Sequence, residues 1–286
     1  MDAFVIIHFG NKVKYLEYEL YFLCNLRSYT KKDIVYLYSV NDTPDNFIEC
    51  VKNLKLNIIT KGYNDKNITF NIDKKFKSSY NHFNTLRTCN FMFAYLLTEY
   101  KKICILESDM IIMNDINKVF ELKFPSVFYT INKNNIQKDN TNYLLEVNQQ
   151  KLLKNCYKGT PINGGVLLIE PSLKIFKILY KKIKDVIKNN CIFPNETLFI
   201  SSISPVYNLP IMYNFSHYYY KRFDKYKNIC VLHYNSTIYK PLDILKDNYL
   251  KNMKSKIKKK FILYYKENIF DKYSNKVNNN LLKINL

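Results

Sequence analysis

The first sixty residues alternate short apolar runs with amphipathic segments, and this alternation constrains the fold more than any other feature. Residues 3–8 predict a buried strand, and residues 15–26 predict a helix with apolar side chains at three- and four-residue spacing. A strand at 34–38, a helix at 45–54 after Pro44 and a strand at 56–59 continue the series. A chain that alternates in this way forms a mostly parallel sheet with helices on its faces.

The rest of the chain continues this alternation with longer interruptions. A polar loop is predicted after the third strand, and the further predicted elements are a helix at 83–99, strands at 103–106, 166–169 and 231–234, and a helix at 173–188. Residues 133–150 are rich in Asn and Lys, which predicts an excursion that is a candidate lid or acceptor loop. Three of the five glycines, at 159, 164 and 165, precede or enter the strand at 166–169, so the backbone there is expected to approach another group closely.

The net charge is compatible with nucleic-acid binding, but the small number of arginines does not favour it. The net charge is +20, yet only Arg27, Arg87 and Arg222 are arginines among the 44 basic residues. Base recognition usually depends on the forked arginine side chain, so specific nucleic-acid binding is not expected. A basic surface nevertheless favours capture of a diphosphate-containing donor or contact with an anionic membrane.

The cysteines and the amino terminus predict a cytoplasmic protein. The seven cysteines are scattered and form no C-x-x-C pair, which favours a reducing compartment. The strand-like run at residue 3 leaves no room for the basic and apolar regions of a signal peptide, and no apolar stretch reaches the roughly 18 residues of a membrane span. Secretion and membrane spanning are therefore not expected.

Two acidic residues follow the apolar strand at 103–106. Glu107 and Asp109 flank Ser108, and residues two apart at a strand end project to the same side. Two carboxylates there can share one hard divalent cation such as Mn²⁺ or Mg²⁺, although two solvated acids at a loop explain the pair equally well. His233 also follows an apolar run and can supply a third ligand, or it can be a half-buried structural histidine.

Six short segments occur in one order between residues 3 and 242. They are FVII at 4–7 with Tyr15 after it, LTEYKKICILESD at 97–109, INGGVLLI at 162–169, PNETL at 194–198, LPIMYN at 209–214, and VLH at 231–233 with Lys240 and Pro241 after it. From the second segment on, the series resembles L-T-x-Y-x-K-hydrophobic-L-D-x-D, F-N-S/A-G-V, D-Q-x-x-L/F, L-P-x-x-Y-N and H-x-x-G-x-x-K-P-W of the family 8 glycosyltransferases. That family includes glycogenin and the bacterial lipopolysaccharide galactosyltransferases. Each segment is weak alone, whereas the ordered set is specific.

The resemblance implies a fold and an activity. It implies a GT-A type α/β fold with a Rossmann-like, mostly parallel central sheet over residues 1–242 and a basic helical extension at 243–286. It also implies a retaining, Mn²⁺- or Mg²⁺-dependent transferase that moves a hexose from a UDP-sugar to a glycan or protein acceptor. The donor implied is UDP-glucose, UDP-galactose or UDP-N-acetylglucosamine.

The resemblance also implies roles for single residues. Glu107, Asp109 and His233 hold the metal ion against the diphosphate. The residues implied to contact the donor are Tyr15 on the uracil, Glu107 and Ser108 near the ribose, Asn163 and Gly164 at the sugar, and Lys240 and Arg87 elsewhere on the donor. Arg87 is equally explained as a surface arginine on a helix. Asn195 and Glu196 occupy the place of the catalytic Asp-Gln pair, where Glu196 is either the nucleophile of a covalent route or a hydrogen-bond partner of the sugar.

The sequence departs from the family pattern at four places. Glu107 stands where the family has Asp, Asn195-Glu196 replaces Asp-Gln, Leu242 replaces Trp, and the spacing from His233 to Lys240 is one residue longer and lacks the glycine. These departures keep open a degenerate fold that only binds nucleic acid or a membrane. A nucleotidyltransferase is a further alternative, but it needs several phosphate-binding glycines after the first strand, where Gly10 stands alone.

The carboxyl-terminal segment predicts a basic amphipathic helix. Apolar and aromatic side chains recur at three- and four-residue spacing, at Leu250, Met253, Ile257, Phe261 and Tyr264. Lysines occupy much of the remaining surface of this helix. Such a helix either lies in the interface of an anionic membrane or packs back on the catalytic domain.

Overall fold

The computed structural model describes residues 1–66, 87–129, 144–145, 162–188, 194–216, 228–234, 241–246 and 262–284. These residues form a mixed α/β fold in which an eight-stranded sheet, mostly parallel and flanked by helices, stands beside a small three-stranded sheet. This architecture confirms the fold class predicted from the sequence.

The amino-terminal half contains the parallel part of the large sheet. Strands β1 (Asp2–His8), β2 (Asp33–Ser39) and β3 (Ile58–Tyr63) alternate with helices α1 (Val13–Tyr29) and α2 (Asp45–Asn53). These elements confirm the predicted alternation. The third strand begins two residues later than predicted because Lys55 and Asn57, with φ of 50° and 52°, form a turn before it.

The fourth strand creates a switch point in the sheet. Strand β4 (Lys102–Leu106) pairs in parallel with β1 on the side opposite β2, so the strand order is β3-β2-β1-β4. The chain that follows β1 therefore runs to the side of β1 on which β2 lies, whereas β4 lies on the opposite side. Open α/β sheets bind ligands in the crevice outside the strand ends at such a point.

The remaining strands of the large sheet are largely antiparallel, which the sequence pattern did not predict. Strand β8 (Ile162–Ile169) pairs antiparallel with both β4 and β6 (Ser126–Tyr129). Strand β9 (Val206–Asn208) adds in parallel to β6, and β7 (Leu144–Leu145) forms the edge. Helical periodicity predicts where elements occur but carries no information about strand direction.

A second sheet follows directly from the acidic segment. Strand β5 (Met110–Ile112) begins one residue after Asp109, and β11 (Val231–His233) pairs antiparallel with it, with Met110 opposite His233. Strand β10 (Phe215–Ser216) pairs in parallel with β11. This small sheet brings His233 beside the residues that follow β4.

Two apolar cores cover the two faces of the large sheet. Phe4 and Ile6 of β1 pack with α1 and α2 on one face, while Ala3 and Val5 pack on the other, as strand alternation requires. The second face is covered by a 3-10 helix (Arg87–Leu96) and by helices α3 (Leu173–Lys188) and α4 (Pro194–Ser202). The helix predicted over 83–99 occurs over residues 87–96, where it is of the tighter 3-10 type, and residues 83–86 lie outside the described part of the chain.

The carboxyl-terminal residues that the structure describes pack on the core that α1 and α2 form with one face of the large sheet, which we call the first core. Helix α5 (Pro241–Lys246) is followed by a helical run from 262 that includes a π-helical segment (Lys266–Phe270) and α6 (Asp271–Leu281). Ile262, Tyr265, Ile269 and Val277 of this run are buried in the core that contains α1. Helix α1 is consequently buried continuously from Leu16 to Leu26.

Residues 247–261, which carry most of the predicted basic amphipathic stripe, lie outside the described part of the chain. Tyr264, the last residue of that stripe, is half buried and packs against the first core. The division of the chain at residue 242 stays a prediction. Among the described residues, no helix is both long and apolar enough to cross a membrane.

Candidate active site

Three side chains converge at the switch point of the large sheet. Glu107 and Asp109 follow β4, and His233 ends β11. The Nε2 atom of His233 lies 3.2 Å from Oε2 of Glu107 and 3.2 Å from Oδ1 of Asp109. One ligand atom from each residue lies within 4.8 Å of the others. The structure therefore brings together the three residues that the sequence analysis proposed as metal ligands.

Backbone hydrogen bonds hold this cluster between the two sheets. The amide of Glu107 donates to the carbonyl of Gly165 in β8 at 3.1 Å. The amide of Tyr234 donates to the carbonyl of Asp109 at 2.9 Å. The acidic segment is thus fixed on one side to the large sheet and on the other to the small sheet.

The three side chains form a gradient of exposure. The side chain of His233 is 1% exposed, that of Asp109 is 19% exposed and that of Glu107 is 49% exposed. Two carboxylates and one imidazole suit Mn²⁺, and the exposed side at Glu107 leaves room for water or phosphate oxygens to complete the coordination. The residues present therefore fit a divalent cation of this class.

The two carboxylates of the cluster change the pKa of His233. Burial lowers the pKa of this imidazole, but the carboxylates of Asp109 and Glu107 outweigh burial and raise the pKa to about 9. Without a cation, a proton on Nε2 offsets one of the two negative charges of the carboxylates. A divalent cation and this proton therefore compete for the same position.

Two adjacent glycines in β8 separate the cluster from helix α4. A β-carbon on Gly165 would lie 2.3 Å from Cε1 of His233, whereas one on Gly164 would lie 3.3 Å from Cγ of Glu196 and 3.4 Å from Nδ2 of Asn195. Successive residues of a strand face opposite sides, so β8 has His233 on one side and Glu196 on the other. The backbone approach expected from the glycines occurs at both positions.

The first turn of α4 is tied to β8. Oε1 of Glu196 accepts a hydrogen bond from the amide of Gly164 at 3.0 Å. Asn163, just before the glycines, accepts the amide of Gly165 on its own Oδ1 at 3.0 Å. Asn163, Gly164, Asn195 and Glu196 therefore form one contiguous group beside the acidic cluster.

The other predicted donor-binding residues lie in different parts of the described chain. Tyr15 is in the first turn of α1 and is 40% exposed, with Nζ of Lys12 lying 5.8 Å from its ring centroid. Ser108 lines a small cavity with Tyr18 and Tyr234. Arg87 begins the 3-10 helix. Lys240 lies outside the described residues.

A buried polar group at the end of β1 was not predicted from the sequence. Nδ1 of His8 lies 2.7 Å from Oε2 of Glu19, and the Tyr36 hydroxyl donates to the same carboxylate oxygen at 2.5 Å. Burial lowers the pKa of His8, but the Glu19 carboxylate outweighs it and raises the pKa. A histidine that ends an apolar strand and a glutamate within an apolar helix were visible signals of this pair.

The His8 group holds the loop between β1 and α1. Nε2 of His8 lies 3.0 Å from the Gly10 carbonyl, and the Gly10 amide donates to Oδ1 of Asp42 at 3.0 Å. Gly10 has φ of +94°, a left-handed conformation that favours glycine. The loop that leads to Tyr15 is thus anchored from the core and from the end of β2.

Comparison with solved structures identifies the class of this fold. The galactosyltransferase LgtC, in a crystal structure with donor and acceptor sugar analogs, superposes with a TM-score of 0.59 at 14% identity over 84% of this chain and 89% of LgtC. The bifunctional glycosyltransferase WbbM gives 0.55 at 15% identity over 92% of this chain and 51% of WbbM. GlyE of Streptococcus pneumoniae TIGR4 gives 0.52 at 19% identity over 96% of this chain and 64% of GlyE. The chain therefore has the GT-A fold of these glycosyltransferases.

Sequence comparison adds one relative. "Uncharacterized protein R707" of Acanthamoeba polyphaga mimivirus is 27% identical over 200 residues, which cover 66% of this chain and 67% of that protein. No model of a protein family matches the chain. The particular activity consequently has to be argued from the site itself.

Proposed function

We propose that this protein is a metal-dependent, retaining glycosyltransferase of the glycogenin-like family 8 type, which moves a hexose from a UDP-sugar to a glycan or protein acceptor. The observation that carries the proposal is the cluster of Glu107, Asp109 and His233 at the switch point of a GT-A fold. The convergence of two carboxylates and an imidazole within 4.8 Å at this place in the fold favours the enzyme over a binding protein without catalysis.

In this proposal, Asp109, His233 and Glu107 hold Mn²⁺ or Mg²⁺. The bound cation stabilises the negative charge that develops on the diphosphate as the bond to the sugar breaks. Asp109 and His233 are the less exposed ligands, so they fix the position of the site. Glu107 has one more methylene than Asp and a half-exposed side chain, so it reaches either the cation or the ribose of the donor.

The nucleotide of the donor is assigned to the crevice between the ends of β1 and β4. Tyr15, exposed at the start of α1, offers its ring to the uracil. Ser108 lies between the two acidic ligands in the sequence and is assigned to the ribose. Arg87 and Lys240 are further candidate contacts for the donor, and the net charge of +20 favours its capture.

The hexose is assigned to the group formed by Asn163, Gly164, Asn195 and Glu196. Glu196 acts either as the nucleophile of a covalent route or as a hydrogen-bond partner that orients the sugar while the acceptor attacks from the leaving-group face. Its contact with the Gly164 amide supports the orienting role, because that bond holds the carboxylate against β8. A solved active-site mutant of LgtC replaces a glutamine by glutamate, the same change that distinguishes Glu196 from the family pattern.

The location and the surface contacts of the protein are also proposals. The five cysteines of the described chain are buried and form no disulfide bond with one another, which supports a cytoplasmic location. Membrane contact stays a prediction for the lysine-rich residues 247–261. Replacing Lys251, Lys254 and Lys258 by Glu is expected to abolish sedimentation with anionic vesicles at low salt, if the full-length protein sediments with them.

A panel of UDP-sugars tests the proposed activity. UDP release is expected with one of UDP-glucose, UDP-galactose or UDP-N-acetylglucosamine, in the presence of Mn²⁺ and not in the presence of a chelator. Asp109→Asn is the matched control that keeps the fold and removes a ligand charge. Retention of DNA or RNA that salt abolishes, with no UDP release from any donor, would favour the degenerate binding protein instead.

A further inference from the structure

A buried asparagine contacts the side of His233 that faces away from the carboxylates. Asn214 follows a short 3-10 helix (Ile211–Tyr213) and is 1% exposed. Its Oδ1 atom lies 2.8 Å from Nδ1 of His233. The Nε2 atom on the other side of the ring lies 3.2 Å from both Glu107 and Asp109.

The orientation of the Asn214 amide is fixed by a chain of hydrogen bonds that starts at a backbone amide. The Gly165 N–H is always a donor, so the Asn163 atom 3.0 Å from it is the carbonyl oxygen Oδ1. That same oxygen accepts Nδ2 of Asn214 at 2.9 Å, and the Asn163 backbone carbonyl accepts it at 3.4 Å. The amide nitrogen of Asn214 therefore faces Asn163, and the amide oxygen faces His233.

The direction of this chain determines which nitrogen of His233 carries the proton in the neutral ring. An oxygen at Asn214 can only accept, so Nδ1 of His233 must donate to it. The lone pair is then on Nε2, which points between Glu107 and Asp109. Only the form of the ring with the lone pair on Nε2 can bind a cation at that position.

We infer that Asn214 is a positioning residue that holds His233 in the Nδ1–H form and directs its Nε2 lone pair to the cation held by Glu107 and Asp109. This inference rests on the metal site of the proposed function. Asn214 also connects the metal site to the residues assigned to the hexose, because the two ends of its amide contact Asn163 and His233. Partners of this kind on metal-bound histidines set the ring orientation and raise the basicity of the ligand.

Mn²⁺ affinity of three variants tests the inference by calorimetry on the full chain. Asn214→Leu removes the acceptor and is expected to weaken Mn²⁺ binding by roughly 10- to 100-fold. Asn214→Asp keeps an oxygen facing Nδ1 but loses the donor to Asn163, so it is expected to weaken Mn²⁺ binding less than Asn214→Leu does. Asn208→Leu is the matched control, since Asn208 is buried and accepts the Tyr129 amide at 3.1 Å in β9.

The outcomes separate this inference from the proposed function. If the unmodified protein binds no Mn²⁺, the proposed metal site is wrong and the role of Asn214 falls with it. If the unmodified protein binds Mn²⁺ and Asn214→Leu binds it equally well, only the positioning role is overturned. Equal loss in Asn214→Leu and Asn208→Leu would also overturn it, because the effect would then follow from general destabilisation.

Nitrogen NMR provides a test that needs no variant. The sequence contains four histidines, so selective ¹⁵N-histidine labelling gives few signals. With Zn²⁺ as a diamagnetic probe, Nδ1 of His233 is expected to carry a directly bonded proton while Nε2 carries none. A Zn²⁺-bound ring with the proton on Nε2 would overturn the inference.

Discussion

A β-carbon placed on Gly165 would lie 2.3 Å from Cε1 and 2.8 Å from Nδ1 of His233, which is closer than carbon and nitrogen atoms approach without a bond. The buried imidazole therefore occupies the space that any side chain at residue 165 would need. The Met110 side chain also lies 2.8 Å from this position, so a β-carbon there would meet two side chains. The shape of β8 thus determines where the ring of His233 can lie.

Gly165→Ala is expected to displace His233 and weaken Mn²⁺ binding. The loss should be at least as large as the roughly 10- to 100-fold effect of removing a partner of a ligand. Gly164→Ala is the matched control, because its β-carbon would contact only the flexible side chains of Glu196 and Asn195 at 3.3 Å or more. Mn²⁺ titration of both variants measures the difference, and equal affinities would show that His233 is not a ligand.

Asp109→Asn is expected to abolish metal-dependent donor turnover and leave the fold intact. One ligand charge is lost, so the cation that stabilises the leaving diphosphate is held less firmly. A fall of about 100-fold or more in kcat is expected, comparable to removing a group that stabilises transition-state charge. His233→Ala should weaken Mn²⁺ binding less severely than Asp109→Asn does. Unchanged UDP release by Asp109→Asn, with an unchanged circular dichroism spectrum, would remove Asp109 from the site.

Glu196→Gln distinguishes the two proposed roles of Glu196. The amide oxygen of glutamine can still accept the Gly164 N–H, so a positioning role predicts only a modest loss of activity. A nucleophilic role predicts a loss of several orders of magnitude, because an amide cannot form the glycosyl-enzyme. The residual rate and the anomer of the product are the measurements. A large loss accompanied by a retained anomer in the unmodified enzyme would contradict the positioning role.

The sequence predicted the local elements and indicated the candidate ligands because those signals are local. The order of strand and helix in the first sixty residues and the pairing of Glu107 with Asp109 both follow from neighbours in the chain. The antiparallel course of β8 and the pairing of Met110 with His233 depend on residues far apart, which periodicity cannot show. The contact of Asn214 with His233 could not be predicted for the same reason, although the segment 209–214 was part of the resemblance.

The stability of the protein is expected to depend on pH through His8. The pKa of His8 is raised in the folded state by Glu19, so the charged pair stabilises the fold fully below the ordinary pKa near 6.5. That contribution is lost as the pH rises through the raised pKa. The free-energy advantage of the unmodified protein over Glu19→Gln should therefore narrow as the pH rises above 6.5. His233 is present in both proteins, so its contribution cancels in the difference.

Urea unfolding at several pH values between about 6 and 9 measures this difference. Tyr36→Phe is a useful companion, because it removes the hydroxyl that donates to Glu19 and keeps the ring stacked on His8. It should leave the pH dependence in place. A free-energy difference between the unmodified protein and Glu19→Gln that stays constant with pH would show that Glu19 does not raise the pKa of His8 in the folded protein.

The carboxyl-terminal helices are expected to be part of the folded core. Ile269 is 1% exposed and lies in the cluster that covers α1, so Ile269→Ala should destabilise the protein by roughly 2–5 kcal/mol. Glu267→Ala, on the exposed side of the same segment, should change stability by no more than about 0.5 kcal/mol.

Removal of all residues after Asp243 should lower the melting temperature far more than either substitution, because it exposes the buried face of α1. Thermal unfolding followed by circular dichroism measures all three variants. A truncated protein that melts at the original temperature would show that the segment is a separate attachment and would revive the membrane-anchor hypothesis.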